Sequence, residues 1–346
     1  MIPIDIQSLA RENVKSLKPY SSARDDFEGT ASVFLDANEN PFPTDYNRYP
    51  DPHQRLLKEV IAQLKNLKSD QLFLGNGSDE TIDLLFRAFC EPGRDMVGIP
   101  QPTYGMYAVS AGVNNVKVIS TSLTNSFDLD SKVVLKSTSP HTKLIFLCSP
   151  NNPSGNLLDV KEIEVILKNF PGLVIVDEAY IDFAASASWT TRLDEFQNLV
   201  VLQTFSKAWG LAGLRLGMCF VNPEIITLLN KIKPPYNINS FTQSEALKSI
   251  NLGKSEMNRM VTAIKYEREA LRKHLHEVLA VKKVHPSDAN FLLVEVTDAK
   301  KSYEHLVSKG IIVRNRSMVV LCDNCLRITV GTKEENDLLI QAMRLL

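Results

Sequence analysis

With 346 residues, 44% of them hydrophobic, the chain holds more apolar material than one compact core uses, so a large domain joined to a smaller one is expected. Its 39 Lys plus Arg against 40 Asp plus Glu give a formal net charge of -1, which leaves no field to gather nucleic acid or an anionic membrane surface. Five cysteines, an odd and sparse set, point to a reducing compartment rather than a disulfide framework, and no run approaches the roughly 18 apolar residues that cross a bilayer.

The opening Met1-Ile2-Pro3-Ile4-Asp5-Ile6 carries no basic run and no apolar signal segment, and Arg11 and Glu12 follow at once, so a cytoplasmic location is expected. Residues 1–28 read as a polar, irregular arm. From there to residue 240 the pattern is that of a large α/β domain. Short apolar runs at Leu72–Leu74, Met96–Ile99, Val116–Ile119, Leu144–Cys148, Leu173–Val176, Leu199–Leu202 and Met218–Val221 alternate with segments of helical period. Ile82, Leu85, Phe86 and Phe89 show that period, as do Ile163, Ile166 and Leu167. Such alternation predicts a mostly parallel, seven-stranded sheet between helices.

Residues 241–346 make the second unit. Phe241 to Ala280 has no Pro and a single Gly, and its mixed charges suit a long or bent connecting helix. Phe291–Val296, a helical segment near Tyr303–Lys309, Ile311–Val313, Leu326–Val330 and a terminal amphipathic helix then predict a small α+β domain. Within it, Cys322 and Cys325 form a lone Cys-x-x-Cys. Zinc needs four ligands and no second pair stands nearby, so these read as a turn between strands, and no metal is expected. His274 and His276 read as solvated side chains of the charged helix.

Chemistry concentrates where strands end. After the run Leu199–Leu202 come Thr204-Phe205-Ser206-Lys207, with Gly210, Gly213 and Arg215 following. The carboxyl end of a parallel sheet faces the ligand crevice, and an amine desolvated there titrates low enough to form a Schiff base. Thr204, Ser206 and Arg215 are residue types that bind a phosphate; an exposed lysine in a glycine-rich loop is the plain alternative. Leu173 to Val176 runs into Asp177-Glu178-Ala179-Tyr180, and an anion at the end of a buried strand must be paired. The same pattern describes the magnesium strand of P-loop ATPases. That reading needs an upstream phosphate loop, whereas Gly253-Lys254-Ser255 lies downstream and has Lys248 where the earlier glycine belongs.

Three further loops complete the set. Leu144–Cys148 leads into the turn Ser149-Pro150-Asn151-Asn152-Pro153-Ser154-Gly155. Leu72–Leu74 passes through Gly75-Asn76-Gly77 into a helix whose first amides, Ser78 and Asp79, suit either a phosphate or an ordinary cap. Pro102-Thr103-Tyr104 places an aromatic ring after another strand, where core packing is the alternative use.

These five loops, in this order, resemble those of the fold-type I aminotransferases that use pyridoxal 5'-phosphate, over nearly the whole chain from Asp36 to Arg327. The resemblance implies the aspartate aminotransferase-like fold. It assigns Lys207 to the Schiff base with the cofactor, Ser206 and Arg215 to the phosphate, and Asp177 to the ring nitrogen. It gives Tyr180 and Asn152 to the ring hydroxyl and Tyr104 to the ring face, while the amides of Ser78 and Asp79 and the hydroxyl of Thr204 join the phosphate set. Ser154 replaces the threonine usual in the Asn-Pro-Thr-Gly turn.

Within the family the chain is most similar to the histidinol-phosphate aminotransferases, through Lys18-Pro19-Tyr20, Asn38-Glu39-Asn40-Pro41, Arg48-Tyr49-Pro50, Val313-Arg314-Asn315 and Cys325 to Gly331. That likeness implies transamination between histidinol phosphate and 2-oxoglutarate, with imidazole acetol phosphate and glutamate as products. It implies substrate binding by Tyr20, Arg314 and Arg327, and a homodimer in which Tyr49 reaches the partner's cofactor phosphate. Lys233-Pro234-Pro235-Tyr236 departs from the usual Pro-Tyr-Pro order, which leaves Tyr236 without an implied role. An aromatic amino acid aminotransferase or a threonine-phosphate decarboxylase would keep every cofactor residue. A regulator that senses the same cofactor would need a fused DNA-binding domain, and the arm before Asp36 is too short for one.

Overall fold

The computed structural model describes residues 4–20, 27, 29 and 31–346. The strands in chain order are β1 (Leu72–Asn76), β2 (Met96–Gln101), β3 (Lys117–Ser122), β4 (Thr142–Cys148), β5 (Leu173–Asp177), β6 (Leu199–Thr204) and β7 (Leu216–Val221). They form one seven-stranded sheet in the order β1-β7-β6-β5-β4-β2-β3. Only β7 runs against its neighbours β1 and β6; the β2, β3, β4, β5 and β6 pairs are parallel.

Both faces of this sheet are covered, which is why its strands read as continuous apolar runs. Along β5, Leu173 and Ile175 pack into one cluster with Phe73, Phe86, Phe146 and Cys219, while Val174 and Val176 pack into another with Ile145, Leu147, Ile163 and Phe220. The period of two thus sends alternate residues of one strand into two cores. Strand order reverses between β2 and β4, and the carboxyl ends around that switch point are where an open sheet binds its ligand.

The second sheet is antiparallel, in the order β10-β11-β9-β8, from β8 (Val281–Val284), β9 (Phe291–Val296), β10 (Arg314–Asn315) and β11 (Cys325–Thr329). Its own core joins Leu292, Val294, Leu326 and Ile328 to Leu339 and Met343 of the terminal helix Lys333–Met343.

Several expectations change. The connector is two helices, Ser240–Asn251 and Lys254–His276, broken at Leu252-Gly253, where Gly253 takes φ +100°. Ile311–Val313 is not a strand; the pairing begins one residue later, at Arg314. The opening residues are not wholly irregular, because Ile6–Leu9 and Glu12–Ser16 are helical and bury Ile6, Ala10 and Val14 in the core that holds Phe89. Residues 1–3, 21–26, 28 and 30 of the expected arm lie outside the described residues.

Candidate active site

A cavity of about 150 Å³ opens at the carboxyl ends of β1, β4, β5 and β6, lined by Gly77, Ser78, Asp79, Tyr104, Cys148, Asn152, Asp177, Ala179, Tyr180, Thr204, Ser206, Lys207, Ala212 and Arg215. Ten of the expected residues therefore converge from five loops: Ser78, Asp79, Tyr104, Asn152, Asp177, Tyr180, Thr204, Ser206, Lys207 and Arg215.

One end is built for an anion. The helix Ser78–Phe89 starts at Gly77, and among the described residues no side chain caps its first amides, which leaves those N–H groups open at the positive end of the helix dipole. Gly77 sits at φ +74°, and a Cβ there would meet the Arg215 guanidinium at 2.6 Å. A Cβ on Gly217 would collide with the backbone of Gly77 and Ser78, so β7 approaches the helix start only because it carries glycine there. Arg215 lies 3.6 Å from the Asp79 carboxylate, and its Nη1 is 3.5 Å from the Ser206 hydroxyl. Thr204 acts one step back: its buried hydroxyl accepts from the Ser206 amide at 3.1 Å and donates to the Leu216 carbonyl at 3.3 Å.

The other end holds Asp177, 3% exposed. The Tyr107 hydroxyl donates to its Oδ2 at 2.6 Å and the Ala179 amide to its Oδ1 at 3.0 Å. Burial raises its pKa above the ordinary value, while these two donors and Lys207 work in the opposite direction. No cation forms an ion pair with it among the described residues. Asp177 is thus a buried acid held ready for a positive partner.

Between the two ends stand the amine and its neighbours. Lys207 Nζ lies 5.7 Å from the centroid of the Tyr180 ring. Burial lowers its pKa first, followed by the charges of Arg327 and Arg215, against the opposing pull of Asp177 and Asp79. Asn152 donates to the Tyr180 hydroxyl at 3.4 Å, and its Oδ1 accepts from Arg327 Nη1 at 2.6 Å. This bond brings the small domain to the cavity. Tyr104 donates to Asp79 at 3.1 Å, which fixes its ring at the rim.

The remaining expected residues lie elsewhere. Tyr49 is half exposed and stacks on Tyr236, centroids 4.5 Å apart, beside a wider open cleft between Asn38–Pro50 and Asn239–Phe241. Tyr20 is 72% exposed, and Arg314 is exposed on β10 directly opposite Arg327. None of the three lines the cavity.

Sequence reasoning missed Tyr107 and Asn151. Tyr107 is fully buried and stacks on Phe146 at 4.7 Å, so from the sequence it is one more core aromatic. Asn151 ties two loops together, donating to the Pro102 carbonyl and to Ser154 while Thr103 donates to it. Cys322 and Cys325 are buried free thiols, the first in the turn that leads into β11 and the second at its start, the Cys325 amide donating to the Cys322 carbonyl. Among the described residues no group of three or more His, Cys, Asp or Glu could hold a metal ion. No described helix is long and apolar enough to cross a membrane.

Residues 31–343 match the family model of aminotransferase class I and II. A histidinol-phosphate aminotransferase of Parabacteroides distasonis is 58% identical over 340 residues, 98% of each chain. The chain belongs to the class I and II aminotransferases, and within them to the histidinol-phosphate aminotransferase family. The crystal structure of the Clostridium acetobutylicum histidinol-phosphate aminotransferase superposes with a TM-score of 0.79 at 25% identity, covering 87% of this chain and 90% of that one. The Sinorhizobium meliloti enzyme, solved in complex with pyridoxal 5'-phosphate, superposes with a TM-score of 0.80 over 86% of this chain and 82% of that one; at 21% identity the likeness is one of fold. As an aminotransferase of this family the chain uses pyridoxal phosphate, and the cavity fits that molecule. It offers free amides and a guanidinium for a phosphate, a buried unpaired acid for a pyridinium and an amine of lowered pKa for an aldehyde.

Proposed function

We propose that this chain moves an amino group between histidinol phosphate and 2-oxoglutarate, giving imidazole acetol phosphate and glutamate, in histidine biosynthesis in the cytoplasm. The observation that carries the reading is the contact of Arg327 with Asn152, which sets a small-domain guanidinium beside Lys207. Both amines of such a reaction end in an anion, and a guanidinium binds phosphate and carboxylate alike through paired hydrogen bonds.

Pyridoxal phosphate, when bound, supplies an electron sink for the charge that develops on the amine-bearing carbon. Lys207 would hold the cofactor and would move a proton at Nζ to and from the reacting carbon, which its lowered pKa favours. Asp177 would keep the cofactor's ring nitrogen protonated, with Tyr107 and the Ala179 amide holding the carboxylate in place. Tyr180 and Asn152 would hold the cofactor's ring oxygen, and Tyr104 would pack against its ring. The amides of Ser78 and Asp79, with Ser206 and Arg215, hold the phosphate, and Thr204 positions the Ser206 amide. Arg327, Arg314 and Tyr20 bind the substrate anion. The half-exposed Tyr49, stacked on Tyr236, supports a homodimer with shared sites, Tyr49 reaching the partner's cofactor phosphate.

An amine panel read by the change in cofactor absorbance in single half-reactions tests this. Histidinol phosphate and glutamate should react fastest. Faster reaction of phenylalanine than of histidinol phosphate would make the protein an aromatic amino acid aminotransferase, and carbon dioxide release from threonine phosphate would make it a decarboxylase.

A further inference from the structure

Arg314 of β10 faces Arg327 of β11, and Asn315 faces Leu326. The pairing runs one residue further, because the Arg316 amide donates to the Cys325 carbonyl at 2.8 Å. Side chains alternate along a strand and opposed residues share a face, so Arg314, Arg316, Cys325 and Arg327 lie on one side of the small sheet. That side is turned to the large domain. Cys325 packs in the cluster that contains Tyr180 and Phe291, whereas Leu326 and Ile328 pack in the small domain's own core.

Three guanidiniums thus share the wall that Arg327 joins to the cavity through Asn152. Among the described residues the charged groups that act most on Arg316 are Arg327 and Arg314, with the Cys322 thiol and the Tyr180 phenol. Among the described residues its Nε is buried without a hydrogen-bond partner. A half-buried guanidinium beside two like charges, with a donor unmet, is an arrangement that an incoming anion relieves.

A carboxylate brings one negative charge and two oxygens, which a single fork satisfies. A phosphomonoester brings nearly two charges and three free oxygens and has acceptors left for further forks. Resting on the transamination reading above, we infer that Arg316 is a specificity residue of the amine pocket. It binds the phosphate of the phosphorylated amine together with Arg314, and leaves to Arg327 the anion common to both amines.

The test is the ratio of kcat/KM for histidinol phosphate to that for histidinol, the same amine without its phosphate, measured on cofactor-loaded protein. Arg316→Gln should lower this ratio by about tenfold to a hundredfold, the range of one lost charge-assisted hydrogen-bonding group. Arg316→Met, which keeps the apolar stem, should give the same fall and serves if the glutamine variant does not fold. A ratio within about twofold of wild type overturns the inference, including the case where both constants fall together as a structural role would make them. A wild-type ratio near one would instead reject the phosphorylated substrate itself, and the role of Arg316 with it.

Discussion

The cofactor cavity and the small-domain wall are opposite solutions to one electrostatic problem. The cavity buries an acid without a base: Asp177 has two hydrogen-bond donors and no ion pair among the described residues. The wall carries bases with no acid paired to them among the described residues: Arg314, Arg316 and Arg327 share a face, Arg327 and Arg314 act on Arg316, and Arg314 acts on Arg327, beside phenols and a thiol. Each region lacks the charge its ligand brings. They differ in rigidity as well. Asp177 ends a fully buried strand and is fixed by a buried phenol, whereas β10 is a two-residue edge strand. On the proposed reading, a resident cofactor would complete the first construction and an anion that changes in each half-reaction the second.

Neutralising the acid should give the largest effect. Asp177→Asn keeps the size of the side chain but cannot hold a ring nitrogen protonated, and losing such preorganised charge costs on the order of 3 kcal/mol or more in the barrier, a hundredfold in rate. Turnover of a folded, cofactor-loaded Asp177→Asn protein is the measurement. Rates near wild type would show that the buried acid is a structural group, and the contrast between the two regions would collapse.

A smaller loss is expected on the wall. Arg327→Lys keeps the charge and removes the fork, so both half-reactions should slow by roughly tenfold to a hundredfold in kcat/KM. Single-turnover spectra with histidinol phosphate and with glutamate measure this separately. If only one amine were affected, Arg327 would not be the shared anion site, and the division of labour along the wall would have to be redrawn.

The two regions were unequally legible in the sequence. The cavity's loops stand out because each joins a buried apolar run to glycine, proline or a polar cluster, as in Leu173–Asp177 or Leu72–Ser78, and strand-end placement then follows from the parallel sheet. Tyr107 could not be found in this way. Its partner Asp177 is 70 residues away, and a buried tyrosine in an apolar helix looks like packing. The wall was harder. Ile311–Val313 carries the apolar signal, yet the chain pairs at Arg314–Asn315, whose side chains give no alternating pattern, so the register that aligns three arginines depends on tertiary contacts. The opening helices fall between these cases: Ile6, Ala10 and Val14 recur every four residues, but segments of four and five residues are too short for periodicity to separate from chance.

The last expected effect is on stability and leaves turnover least changed; it concerns the second acid of β5's end and separates burial that waits for a cation from burial that does not. Glu178 follows Asp177 and is 1% exposed. Its Oε1 accepts from the Trp189 amide at 2.7 Å and its Oε2 from Gln203 at 2.9 Å and from Ser188. Burial outweighs these donors and pushes its pKa from 4.5 up to about 7. Between those two values the unfolded chain has released the proton and the folded chain still holds it. The stability that this group contributes is therefore fully present below about pH 4.5 and is lost as pH rises through 7, by an amount on the order of 3 kcal/mol. Glu178→Gln cannot ionise. Its new amide can donate to Gln203 Oε1, which is buried without a partner among the described residues, once the Gln203 amide turns over. Urea unfolding at pH 5 and pH 8 should show wild type losing stability over this interval relative to Glu178→Gln, with the variant the more stable of the two at pH 8. Parallel pH dependences would mean that Glu178 is ionised in the folded protein throughout. The end of β5 would then bury two anions, and Asp177 could no longer be singled out as the one acid held for the cofactor.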